Sequence, residues 1–165
     1  MTEILNILID RVADRTPKNY DFENDKFIYK SDEDGSSLYR NKNEKLNIDF
    51  SVDKLNFSDI QTMDPRIVTI SPSSNNELHK HAHESIFYII KGTGKVVIGK
   101  DTISVSTGDI AFVPRWIFHQ SKNTSNTEDL VILAITDFGL TSAVLGDYDK
   151  RTRLAEKGDD AVFSL

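Results

Sequence analysis

The sequence predicts an all-β domain, and three observations carry that expectation. Apolar segments of roughly four to nine residues recur through the chain, the length of ordinary strands. Several of them alternate apolar and polar residues with the two-residue period of a sheet that buries one face. Turn residues separate them, with Gly92, Gly94, Gly99 and Gly108 punctuating the richest stretch. Many short strands with frequent glycine turns imply an antiparallel barrel or sandwich, and closure into a barrel would remove exposed edges. At 165 residues the chain suits one core.

Residues 3–15 are the exception to β structure. Leu5, Leu8, Ile9 and Val12 form a helical stripe, widened by Ile4 and Ile7. Thr2 can cap the start with Glu3 at the positive end, and Thr16-Pro17 stops the helix. This short N-terminal helix is expected to pack on the barrel or in a dimer seam. Its polar face carries Glu3, Asp10 and Asp14, which disfavours a membrane surface. Next, Phe27–Tyr29 and Ser37–Tyr39 flank Asp32-Glu33-Asp34-Gly35 and read as a hairpin. Leu46, Ile48, Phe50 and Val52 then alternate with Asn47, Asp49 and Ser51, the pattern of a half-buried strand with the second set facing water. Residues 58–64 read as a turn. Residues 1–60 are therefore a helix with added strands packing on the barrel.

Residues 61–140 read as the barrel core. Strands are expected at Arg66–Ser71, Ile86–Ile90, Lys95–Ile98, Ile103–Ser106, Ile110–Val113 and Glu128–Thr136. The tail 141–165 is polar and glycine-punctuated and is expected to wrap the outside of the same domain.

Composition excludes several functions. Charged residues make up 28% of the chain with a net charge of −6, and no Lys/Arg run is present, which argues against a nucleic-acid partner. Absence of a second helix to form a helix-turn-helix argues the same way. With no cysteine, disulfides and thiolate metal sites are both excluded. No apolar run reaches roughly 18 residues, and Met1-Thr2-Glu3 lacks a basic signal-peptide start. The expected location is the cytoplasm, without membrane contact.

All four histidines lie between positions 79 and 119. His79 and His81 are two apart, so on an extended strand both rings leave one face. His119 follows a proline-containing turn on another strand, and a closed sheet can bring it opposite the pair. Three neutral imidazoles suit iron, zinc, copper or nickel. Taken singly, these histidines could equally be exposed side chains on a polar hairpin; their intervals decide the matter.

Those intervals resemble the cupin superfamily. Its first motif is commonly His-x-His, three or four residues, Glu, six residues, Gly. This chain has His79-x-His81, three residues, Ser85, six residues, Gly92. The second motif is Gly, five residues, Pro-x-Gly, two residues, His, three residues, Asn. Here Gly108, Pro114, Trp116, His119 and Asn123 stand at those intervals. A match at Gly, Pro, His and Asn arises by chance about once in a million registers at ordinary composition. The resemblance covers residues 66–138 and implies a double-stranded β-helix, the cupin or jelly-roll barrel, with a homodimer common among its members. Two departures, Ser85 for Glu and Trp116 for Gly, are similar to gentisate 1,2-dioxygenase-like cupins, whose sites use three histidines and no carboxylate. Cysteine and β-diketone dioxygenases of the superfamily do the same.

The resemblance thus implies His79, His81 and His119 as metal ligands. Strand alternation sends Glu84 outward, and His83 on the turn is expected outside the shell. A neutral shell leaves the ion's full charge and open positions, suited to an anionic bidentate substrate and dioxygen. Iron(II) has the redox chemistry for this; zinc, manganese or nickel would serve a Lewis-acid isomerase, lyase or hydrolase instead. A non-catalytic small-molecule binder is the third reading. Phe87 and Ile89 share the parity of Ser85 and are expected to line an apolar pocket. Arg66 and Arg115 are candidates to hold a substrate carboxylate, and Trp116 to line the entrance.

Overall fold

The computed structural model describes residues 6, 9, 10, 13–16 and 18–145. Among these residues nine strands run in order: β1 Ser36–Asn43, β2 Ile48–Lys54, β3 Asp64–Ile70, β4 Ser85–Lys91, β5 Thr93–Ile98, β6 Asp101–Ser106, β7 Ile110–Val113, β8 His119–Asn123 and β9 Leu130–Thr136. They form two antiparallel sheets, one of order β1-β2-β3-β9-β4-β7 and one of order β6-β5-β8.

The sequence explains the principal turns. Between β1 and β2, the Asn43 side chain accepts from the amides of Lys45 and Leu46 and closes a single 3-10 turn, Glu44–Leu46. Asn47 follows at φ 53°, a left-handed position that asparagine tolerates. Gly94 allows β5 to cross β8 closely: a Cβ there would stand 2.4 Å from the Lys122 carbonyl oxygen and 2.6 Å from Leu130 Cδ2.

Facing side chains of the two sheets make one core. Ile48, Phe50, Val52, Ile70, Phe87, Ile89, Leu130, Ile132 and Ala134 come from the large sheet, with Val113 from its edge. Val96 and Val105 come from the small one. Ile70, Ile89 and Leu130 are fully buried, and such side chains each contribute about 1.5–3 kcal/mol relative to exposure. The registers Ser85↔Thr136, Phe87↔Ala134 and Ser85↔Val113 put the inner faces of β4, β9 and β7 together above this core. That is the wall on which the histidines rest.

The structure departs from the sequence expectation in five places. Hydrogen-bonded ladders do not close into a barrel; the isolated bridges Ile48↔Asn75 and Asn75↔Lys122 link the sheets through Asn75, and His79↔His119 pairs the connecting segment with β8. The connecting segment satisfies its polar groups with side chains instead: Asn76 Oδ1 accepts from the Ser121 amide, and Asn75 Nδ2 donates to the Leu46 carbonyl. Phe27–Tyr29 is not a strand, because β1 takes β2 as its hairpin partner. Those residues pack by side chain instead, with the Tyr29 hydroxyl accepting from the Asn56 amide and its ring meeting Phe57 edge-on. Ser51 is buried rather than wet, since β2 is an interior strand between Arg40 of β1 and Thr69 of β3. Leu46 lies in the 3-10 turn and is half-buried, while Ile48, Phe50 and Val52 hold the expected buried face.

The fifth departure is helical. The α-helix element of the described residues is C-terminal, Phe138–Leu145, where an irregular tail was expected. The predicted helix over 3–15 falls largely outside the described residues; Asn6, Ile9, Asp10 and Ala13 are helical, and the Asp14 amide donates to the Asp10 carbonyl at 2.9 Å. Residues 146–165 lie outside the described residues. No helix among those described is long and apolar enough to cross a membrane.

Candidate metal centre

His79, His81 and His119 converge. Each offers a ring nitrogen, and the three nitrogens lie within 4.8 Å of one another. Ring centroids are 4.3 Å apart for His79–His119, 4.6 Å for His81–His119 and 5.3 Å for His79–His81. The backbone builds this directly. His79 and His119 exchange both amide-to-carbonyl hydrogen bonds, at 3.1 and 2.8 Å, so the two residues stand opposite across a narrow antiparallel pair.

All three rings are oriented in the same way. His79 Nδ1 contacts the Glu77 carbonyl at 2.9 Å, His81 Nδ1 that of His83 at 2.8 Å, and His119 Nδ1 that of Ile117 at 2.9 Å. A carbonyl can only accept, so each Nδ1 carries a proton, and in the neutral ring Nε2 holds the lone pair. This is the arrangement that fixes tautomer and ring direction in metal-binding histidines. His119 is 1% exposed, and burial lowers its pKa below the ordinary imidazole value, partly offset by the Ile117 hydrogen bond. It is neutral at pH 7. Its Nε2 is buried with no hydrogen-bond partner, the state expected of a donor atom reserved for a cation. The residues present fit a metal ion.

The rings open on a cavity of about 60 Å³. Ser85, Phe87 and Arg66 line it, together with Tyr39, Asn76 and Thr136. Ser85 sits at the position where the cupin motif commonly has Glu; its Oγ is buried and makes no hydrogen bond. Arg66 is held by Asp64, which accepts from its Nε at 3.0 Å and its Nη2 at 2.5 Å.

Other predicted pocket residues fall elsewhere. Ile89 is fully buried in the core below the cavity. Arg115 lies outside it: its guanidinium pairs with Asp137 at 2.6 Å and Glu84 at 3.4 Å, and donates to the Ala82 carbonyl at 2.6 Å. It is a strut between loops, consistent with the outward parity of Glu84. Trp116 is 48% exposed and is not among the residues lining the cavity. It adopts φ 60°, the left-handed position where the motif has Gly, and its amide donates to the His81 carbonyl at 2.8 Å. That bond shows why the backbone shape persists without glycine.

His83 corrects the sequence reading in part. It is expected on the turn and outside the shell, and it does lie at a bend, yet it is 4% exposed and lines the cavity beside His81. It does not join the three-nitrogen group. The two-residue parity linking 79, 81 and 85 also includes 83, so the signal was present.

Comparison with known proteins agrees with this geometry. The cupin domain family profile (Cupin_2) matches residues 66–136. The chain carries a cupin domain. The 1-hydroxy-2-naphthoate 1,2-dioxygenase of Nocardioides sp. (strain KP7) is 28% identical over 76 residues, covering 46% of this chain and 20% of that protein. The 5-aminosalicylate 1,2-dioxygenase of Comamonas sp. is 26% identical over 78 residues, covering 47% and 20%. This cupin therefore spans about a fifth of the length of the dioxygenases it matches. A crystal structure of a cupin-2 domain from Rhodospirillum rubrum superimposes with a TM-score of 0.57 at 19% identity, covering 74% of this chain and 78% of that one.

Proposed function

We propose that this cupin is a non-haem iron(II) dioxygenase or related oxygenase acting on a small anionic organic molecule. His79, His81 and His119 are the ligands through Nε2. The observation that carries the reading is the convergence of three Nδ1-anchored imidazoles with a serine in place of a carboxylate beside them. The two matched dioxygenases support the reaction class. Iron(II), when bound, supplies redox chemistry toward dioxygen and positions for a chelating anion.

The chain's own residues do the rest. Asp64 engages Arg66 Nε and Nη2, leaving Nη1 to hydrogen-bond a substrate carboxylate. Phe87 supplies the apolar wall, and Ser85 Oγ is a buried donor and acceptor for a polar substituent. The test is an oxygen-electrode screen of protein reconstituted anaerobically with iron(II), against hydroxylated aromatic carboxylates and small keto acids. Oxygen consumption that requires both iron and one of these anions is expected. Oxygen-independent turnover with zinc, manganese or nickel would replace this reading with the Lewis-acid one, and binding without turnover with the non-catalytic one.

The working unit is a homodimer. On the outer face of β4 and β7, Ile86, Tyr88, Ile90, Ile110 and Phe112 are 40–70% exposed, without a charged residue among them. β7 is an edge strand whose ladder partner is β4. Five such side chains expose on the order of 500 Å² of apolar surface, near the largest patch ordinary for a monomer. It also matches the apolar share of the roughly 800 Å² that a stable interface buries on each partner. Light scattering after size exclusion should give twice the chain mass. The double change Ile110→Lys, Phe112→Lys should give the monomer mass; a monomeric unmodified protein would sink the idea.

A further inference from the structure

The position of His83 has a physical explanation beyond binding. Its ring lies parallel to that of His81, with centroids 3.4 Å apart and an interplanar angle of 13°. An imidazole binds a metal in its own ring plane, and two parallel planes at that spacing cannot share one ion. His83 is therefore not a fourth ligand while His81 is one. Its ring also meets Phe138, the first residue of the C-terminal helix, edge to face at 5.5 Å and 85°. The Arg66 guanidinium carbon stands 5.0 Å from the centre of the Phe138 ring. Close backbone packing fixes the start of that helix: a Cβ on Gly139 would stand 2.4 Å from the Gln61 carbonyl oxygen.

We infer that His83 is a positioning residue: its ring face holds His81 in the orientation a metal ligand needs, and Phe138 backs it. The inference rests on the metal reading above. One hydrogen bond, from His81 Nδ1 to the His83 carbonyl, sets the tautomer and direction of the ligand ring. That bond lies in the ring plane and does not by itself set the tilt about the N–H···O axis. A parallel ring at van der Waals distance sets that tilt, and stacking of this kind stabilises beyond simple burial. The C-terminal helix thereby becomes part of the metal site, through a contiguous series His81, His83, Phe138 and Arg66 that links a ligand to the proposed carboxylate anchor.

Because the His83 carbonyl survives any substitution at that position, variants separate ring from backbone. Cobalt(II)-loaded protein is the probe, read by its visible absorption bands and by the rate of cobalt transfer to a chelator. His83→Ala should release cobalt about tenfold faster, the scale of losing a residue that orients a ligand. Its bands should also broaden. His83→Phe, which keeps a flat ring without nitrogens, should restore both the rate and the spectrum to near those of the unmodified protein. Phe138→Ala should fall between, about threefold faster, and decides the question if His83→Ala does not fold. An unmodified rate and spectrum in His83→Ala would overturn the inference, as would a His83→Phe protein as impaired as His83→Ala. Failure of the unmodified protein to bind cobalt at all would instead remove the metal reading itself.

Discussion

Replacing His119 with alanine is expected to abolish metal binding and any oxygenase activity while leaving the two sheets folded. His119 Nε2 is a buried atom with no hydrogen-bond partner, between the rings of His79 and His81. Two imidazoles alone make a poor site for iron(II). Losing the third must cost more than the roughly 10–100-fold in affinity that follows loss of a residue merely orienting a ligand. The fold has less at stake. The backbone pair with His79 does not involve the side chain, and β8 keeps its ladder to β5 through Ile98, Val97 and Val96. The side-chain loss is one buried ring and the Nδ1 bond to Ile117, worth about 0.5–1.5 kcal/mol net for the bond. Metal content by mass spectrometry, with circular dichroism as the fold check, reads the result. His79→Ala and His81→Ala should behave alike. Unchanged metal in all three variants would remove the site.

The three-histidine group was legible in the sequence for a physical reason. Two residues apart on extended backbone is a statement about direction, and the intervals from Gly108 to Asn123 place His119 at a strand start after a tight turn. Most strands from β3 onward were legible as apolar segments between turn residues, while the polar β8 entered only as the strand carrying His119. What alternation does not encode is how polar groups in irregular segments are satisfied. Asn75, Asn76 and Asn123 replace ladder bonds with side-chain bonds, so the sheets meet at bridges rather than in a closed ladder. The paired cation Arg115 and the lining cation Arg66 have no distinguishing pattern, because whether an arginine meets Asp137 or a cavity is a tertiary matter. Phe138 likewise gave no signal, although it contacts both His83 and Arg66.

Changing Ser85 to glutamate is expected to tighten metal retention and lower turnover, while making the metal-free protein less stable. Ser85 is 2% exposed, on the inner face of β4, lining the cavity with the three histidines. A carboxylate there enters a buried site whose lining cation, Arg66, is already engaged by Asp64. Without metal, desolvating that charge is costly, so the group protonates or the fold loosens. With metal, the same carboxylate neutralises part of the ion's charge and adds a fourth protein ligand, so the gain in melting temperature on adding metal should exceed that of the unmodified protein. The position it occupies is one the neutral shell would leave to a chelating anion. The expected kinetic signature is a lower kcat with higher metal occupancy, whereas Ser85→Ala should retain its metal and lose only the contact made by Oγ. Thermal unfolding with and without metal, metal analysis and oxygen uptake together read these outcomes. Full turnover in Ser85→Glu would show that the substrate does not need the open position, and the argument for a bidentate anion would fall with it.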